Sequence, residues 1–117
     1  MTAWGIVGSR RRNSRDDLQA CDRFMAERLK EGDRIVSGGC PSGGDRFAEI
    51  IARRRQFPIT IHYARWNDLG KGAGFVRNTD IARECDELVA LPAEDRTGET
   101  EDTIRKAMAM GKIVHLI

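Results

Sequence analysis

No apolar run in the sequence approaches the roughly 20 residues that a membrane span requires, so no membrane-crossing segment is expected. The opening residues, Met1-Thr2-Ala3-Trp4-Gly5, include neither a basic cluster nor a long apolar stretch, and no secretory signal is expected. One-sided charge is also missing. Twenty Lys+Arg against eighteen Asp+Glu leave a net charge of +2, which does not build the field of a duplex-binding protein. Nucleic acid is therefore not an expected partner. The three cysteines, Cys21, Cys40 and Cys85, form no Cys-x-x-Cys, which argues against a disulfide framework or zinc knuckle and for a reducing, cytoplasmic setting. Two histidines are too few for a histidine-rich metal site, and neither metal nor cofactor is expected. No Gly-Lys-Ser/Thr follows a glycine loop and no Gly-x-Ser-x-Gly elbow occurs, so P-loop and serine-hydrolase chemistries are disfavoured.

What the sequence does have is glycine, twelve in 117 residues, mostly in a few short clusters. The length fits one domain spanning 1–117, and 40% hydrophobic residues suffice for one core. Five apolar segments read as strands: Ala3–Val7, Arg34–Val36, Pro58–His62, Leu88–Leu91 and 113–117. Several are β-branched runs without polar alternation, as in strands buried on both faces. Between them lie four helical patterns. The first opens on a capping box at Ser14-Arg-Asp-Asp17, repeats Leu18, Cys21, Phe24, Met25 and Leu29 at helical spacing, and ends at Gly32. Phe47, Ile50 and Ile51 mark the second and Phe75 to Cys85 the third. Ile104, Ala107 and Met108, ending at Gly111, mark the fourth. Regular β–α alternation predicts an α/β, Rossmann-like three-layer sandwich with a five-stranded, mostly parallel sheet in the order 3-2-1-4-5.

The loops are unequal. Helix-to-strand connections are terse, whereas strand-to-helix connections are long and carry nine of the twelve glycines. Those loops share one sheet edge, where ligands bind at the switch point. The sharpest is Ser37-Gly38-Gly39-Cys40-Pro41-Ser42-Gly43-Gly44-Asp45, whose four glycines exceed what a turn needs and suit a phosphate or ribose cradle. At the end of the first strand, Gly8-Ser9-Arg10 offers a planar fork for phosphate, while Arg11 and Arg12 read as solvated. The third loop, Tyr63 through Gly74, supplies Lys71 and leads to Arg77 and Asn78, with Trp66 either stacking on a base or covering the sheet edge. Arg77 can alternatively pair along its helix with Asp80 or Glu84. In the fourth, Thr100 caps a helix or binds an anion. Glu99, Glu101 and Asp102 serve either as general acid–base groups or as first-turn acids. Cys40 has no histidine placed to activate it.

Taken in order, Gly8-Ser-Arg10, Ser37-Gly-Gly-x-x-x-Gly-Gly-Asp45, Trp66 with Gly70-Lys-Gly-Ala-Gly74 and Arg77-Asn78, and Thr100-Glu-Asp102-Thr-Ile104 resemble the SLOG superfamily. That group includes the Smf/DprA proteins, the Lonely Guy (LOG) phosphoribohydrolases and small stand-alone bacterial and phage members. The similarity runs from about Ile6 to Val114. It implies binding of a nucleotide or nucleotide-derived ligand by Gly38, Gly39, Gly43 and Asp45, completed by Arg77 and Asn78, with Thr100 matching the late threonine. The expected site thus comprises Gly8, Ser9, Arg10, Ser37, Gly38, Gly39, Gly43, Gly44, Asp45, Lys71, Arg77, Asn78 and Thr100. A sensor or nucleotide-processing accessory is the leading expectation. The LOG likeness implies N-glycosidic hydrolysis of nucleoside 5′-monophosphates, with Asp102 or Glu101 assisting water and Arg77 stabilising developing charge. In that late motif Thr103 stands in place of the LOG glutamate. The Smf/DprA likeness implies single-stranded DNA binding, for which seven aromatics are a poor supply. By analogy with SLOG relatives, a homodimer is expected.

Overall fold

The computed structural model describes Met1 to Ile117. Its elements run β1 (Ala3–Gly8), α1 (Arg15–Ala26), β2 (Arg34–Ser37), α2 (Gly44–Arg55), β3 (Ile59–Ile61), α3 (Trp66–Leu69), α4 (Ala73–Glu84), β4 (Glu87–Leu91), α5 (Glu99–Ala109) and β5 (Ile113–Leu116). A 3-10 turn, Gly70–Gly72, joins α3 to α4. The sheet is parallel throughout and ordered β3-β2-β1-β4-β5, as the alternation predicts. No helix is long and apolar enough to cross a membrane.

Alternation along the central strands divides the core into two layers. Trp4 and Ile6 of β1, Ile35 of β2, and Val89 and Leu91 of β4 pack with Leu18, Met25, Phe47 and Ile51 from α1 and α2. Ala3 and Val7, Val36, and Leu88 and Ala90 face the other way, onto Ile81, Cys85, Ile104 and Ala107 from α4 and α5. Each large apolar side chain fully removed from water stabilises the fold by about 1.5–3 kcal/mol, so β1, β2 and β4 carry most of the layering. The expectation of strands buried on both faces fails at the edges. β3 and β5 are half-exposed because a helix layer covers them on only part of their surface.

Two boundaries differ from the sequence reading. α1 stops at Ala26 rather than near Gly32, because the chain turns back through Lys30–Asp33, where the Asp33 carboxylate accepts the Lys30 N–H at 3.0 Å. Gly32 is the left-handed residue of that turn (φ 91°), not a helix cap. Buried Asp33 also accepts the Thr2 N–H (2.8 Å) and Trp4 Nε1–H (3.2 Å), which ties the start of β1 to β2. Finally, the third strand-to-helix loop is largely helical, since α3, the 3-10 turn and α4 together begin at Trp66. The predicted capping box does form: Ser14 Oγ accepts the Asp17 N–H at 3.0 Å, and the Asp17 carboxylate accepts the Ser14 N–H at 3.4 Å.

The tightest approach in the molecule lies between α2 and β1. A Cβ on Gly44 would stand 2.3 Å from Val7 C and Gly8 N, and one on Gly43 (φ 75°) would stand 2.6 Å from Ser9 O. Backbone on both sides cannot give way as a flexible side chain can. Gly44→Ala is expected to cost about 3 kcal/mol or more through overpacking. Urea denaturation measures this, and an unshifted midpoint would show that α2 moves off the strand freely.

Candidate functional site

The strand-to-helix loops meet in one cleft of about 580 Å³ at the C-terminal edge of the sheet. Its floor is Val7, Gly8, Asp45, Asn78, Ile81 and Thr103. One wall is Ser9, Arg10 and Arg11 after β1, with Thr97 to Thr100 before and within α5. The other is Gly38 to Pro41 after β2, with Tyr63, Ala64 and Trp66 after β3. This is the switch point of the sheet, because the connection from β1 leads to the α1 face and that from β4 to the α4–α5 face.

Of the residues expected to bind, Gly8, Ser9, Arg10, Gly38, Gly39, Asp45, Arg77, Asn78 and Thr100 line the cleft. Gly43 and Gly44 do not line it; they are the close-packed joint between α2 and β1. Lys71 stands exposed on the 3-10 turn, and Ser37 is buried behind the lining. The glycines that do line the cleft face protein as well. A Cβ on Gly38 would meet Arg77 Nη1 and Asp45 Oδ2, each at 2.9 Å, and one on Gly39 (φ 77°) would meet the Tyr63 ring at 2.5 Å. Their lack of side chains therefore admits Arg77, Asp45 and Tyr63 to the site.

Arg77 is the best-anchored cation of the cleft. It donates through Nη1 to Gly38 O (3.0 Å), through Nη2 to Glu99 Oε2 (3.1 Å) and through Nε to Asn78 Oδ1 (3.0 Å). It does not pair with Asp80 or Glu84: Arg83 takes Asp80, while Arg34 and His62 take Glu84. Asn78 Nδ2 donates onward to Asp102 Oδ2 at 3.1 Å, and Asp102 also pairs with Lys106 Nζ at 2.9 Å. Glu101 is held by both arms of the Arg96 guanidinium, at 2.8 and 2.9 Å. Neither Glu101 nor Asp102 lines the cleft, whereas Glu99 does. Thr100 does not cap α5, whose N-cap is Gly98 (φ 105°); its hydroxyl lies on the cleft wall instead.

Of the two arginines expected to be solvated after β1, Arg11 is exposed as expected and Arg12 is not. Arg12 is half-buried and donates to Asp17, Pro92 O and Ile117 O, tying the first loop to the end of β5. Arg11 forks onto Asp95 across the switch point. Arg10 alone among the cleft cations has no carboxylate partner. The sequence reading also missed Tyr63, which is 65% exposed on the cleft wall beside Trp66, 55% exposed. Its signal was position: the only tyrosine, two residues past the end of β3.

Asp45 is the buried carboxylate of the site. Burial pushes its carboxyl above the usual range, partly offset by the Cys40 N–H (3.0 Å) and the nearby Arg77 charge. Ser37 acts in the same direction but weakly and from beyond hydrogen-bond distance, since its Oγ has no partner. The cysteines divide similarly by place. Burial raises the Cys21 thiol to about 12 and the Cys85 thiol to about 11, whereas Cys40 lines the cleft. Both histidines are engaged elsewhere, His62 with Glu84 and His115 with Glu87, each at 2.7 Å, so neither serves Cys40 as a base.

A carboxyl raised on folding costs stability once the pH exceeds its unfolded value of about 3.9. Asp45→Asn is therefore expected to match or exceed the wild-type stability at pH 7, with the difference shrinking towards pH 4. Urea denaturation across that range checks it. An asparagine variant less stable at neutral pH would mean that Arg77 more than compensates for burial of the charge.

Comparison of the chain with protein-family models, with curated proteins and with solved structures finds no match.

Proposed function

We propose that the protein binds a nucleotide or nucleotide-derived ligand in this cleft, as a sensor or accessory of nucleotide processing. The carrying observation is the pairing of chemistries at the switch point: two exposed aromatic rings on one wall and an unpartnered guanidinium on the other. Tyr63 and Trp66 offer faces on which a base stacks. Arg10 and the start of α5, which has no side-chain cap, offer donors to phosphate. Asp45 lies between them, where a carboxylate accepts from ribose hydroxyls. A volume of about 580 Å³ falls in the usual range for small-ligand sites, about 300–1,000 Å³. The resemblance of the ordered motifs to the SLOG superfamily supports the same reading.

Glycosidic hydrolysis is the second reading, favoured by Glu99 and Arg77 standing together in the cleft at 3.1 Å. It draws no support from Glu101 or Asp102, which are committed to Arg96, Lys106 and Asn78. The single-stranded DNA reading draws little support from a cleft whose lining cations are Arg10, Arg11 and Arg77, the last two paired with carboxylates. Self-association belongs to the main reading as well, since Leu69, Phe75 and Val76 leave an exposed apolar surface around α3 and the start of α4.

Thermal shift and free-base release, followed together over a panel of nucleoside monophosphates, separate these readings. Stabilisation without base release is the expected outcome, and no stabilisation by any nucleotide would sink the proposal. Tyr63→Ala and Trp66→Ala should each weaken binding by about 1–3 kcal/mol, the usual worth of one base–aromatic stack. Arg10→Ala should weaken nucleotides while leaving the matching nucleosides unaffected.

A further inference from the structure

Arg11 is the one lining cation whose guanidinium is occupied from outside the cleft. Its Nη1 and Nη2 meet the two Asp95 oxygens at 2.9 Å each, and Nη2 also reaches Thr97 Oγ1 at 2.7 Å. Arg11 and Thr97 line the cleft; Asp95 does not. The arrangement spans the switch point, from the loop after β1 to the loop before α5.

A planar guanidinium accepts a carboxylate and a phosphoryl group through the same pair of parallel hydrogen bonds. Asp95 thus occupies the fork in the way a phosphate would. The pair is shallow, with 56% and 57% of the two side chains exposed, and pairs in that setting contribute little to stability. Asp95 is held in place independently of Arg11, since its Oδ1 accepts the Thr97 N–H at 3.2 Å and the Thr97 hydroxyl at 2.8 Å. The carboxylate therefore keeps a partner if the arginine leaves. Arg11 is likewise set by its backbone, whose N–H donates to Ser9 Oγ at 3.1 Å, so its side chain can swing without unravelling the loop. A phosphomonoester carries more charge than a carboxylate, and in the cleft it would also face Arg10.

Resting on the nucleotide reading of the cleft, we propose that Arg11 is the phosphate fork of the site and that Asp95 is its internal competitor, displaced when a phosphomonoester binds. Asp95 then sets affinity from outside the cleft. Removing its charge frees the fork and tightens binding, the reverse of what loss of a structural strut does.

The test titrates wild type, Asp95→Asn and Arg11→Lys with nucleoside 5′-monophosphates, the matching nucleosides and inorganic phosphate, by calorimetry and thermal shift. Asp95→Asn should bind monophosphates several-fold tighter, and Arg11→Lys, which keeps the charge but loses the fork, about tenfold more weakly. Nucleoside affinity should change in neither. Monophosphate affinity unchanged or weakened in Asp95→Asn would overturn the exchange and make the pair a strut. If wild type responds to no nucleoside or nucleotide, the nucleotide reading fails by itself and inorganic phosphate decides the exchange. Tighter phosphate binding by Asp95→Asn then supports it, and equal or absent binding in both proteins overturns it. Both side chains are exposed, so the ligand-free variants should melt where wild type does, which verifies that they fold.

Discussion

The arrangement of this molecule depends on one contact without side chains, the meeting of Gly44 with Val7 and Gly8 at the head of β1. With a Cβ there held to 2.3 Å from backbone, only glycine lets α2 begin so close to the central strand. That approach carries the loop from β2 over the end of β1 and brings Asp45, the second residue of α2, to the floor of the cleft. Asn13 of the first loop seals the joint by accepting the Gly43 N–H at 2.8 Å and Arg46 Nε at 2.9 Å. The loops after β1 and β2 are thereby one body. The glycines that looked like a phosphate cradle are in part the hinge-pin of the fold, and the open face of the site is made by others.

Charge in the cleft follows a consistent division. The polar groups at the back are committed to each other, Arg77 to Glu99 and Gly38 O and Asn78 to Asp102, and outside the lining Arg96 holds Glu101. These pairs position α4 against α5 and hold the loop before α5, in which Arg96 takes a left-handed φ of 56° uncommon outside glycine. The groups towards the mouth are uncommitted or weakly committed: Arg10, the aromatic faces of Tyr63 and Trp66, and the exposed Arg11 fork. Such a gradient, with a preorganised back and an adaptable rim, is what the nucleotide reading proposed above requires.

The fold was legible because its signals are cooperative. Five apolar segments, several of them β-branched, separated by amphipathic stretches of crossover length leave few parallel topologies, and Ser14 with Asp17 marks a helix start by chemistry that is local. The gathering of loops at one edge was legible for the same reason, since it follows from parallel connectivity alone. Other features are set by tertiary contact and leave no local mark. Gly32 reads as a helix end because nothing in the sequence announces that Asp33 will capture the Lys30 N–H. Glu101 and Asp102 read as acids beside a site, yet which way a first-turn carboxylate points depends on Arg96 and Lys106. Arg12 reads as solvated because the Pro92 and Ile117 carbonyls it meets lie 80 and 105 residues away along the chain.

Asp45 shows where stability and function part. Its carboxylate is buried, its pKa is raised by that burial, and its two strongest opposing influences, the Cys40 N–H and the Arg77 charge, do not fully offset the cost. A core position chosen for stability would hold an apolar or neutral side chain there. The same loop leaves Ser37 Oγ buried without a partner directly beneath. On the nucleotide reading proposed above, two unfavourable polar groups at one spot, at the floor of the cleft and beside its best-anchored cation, are what a fold accepts where a ligand supplies the missing partners. On that view the cleft is finished only when occupied. A ribose hydroxyl donating to Asp45 would add a second hydrogen bond to the one its carboxylate already accepts from the Cys40 N–H.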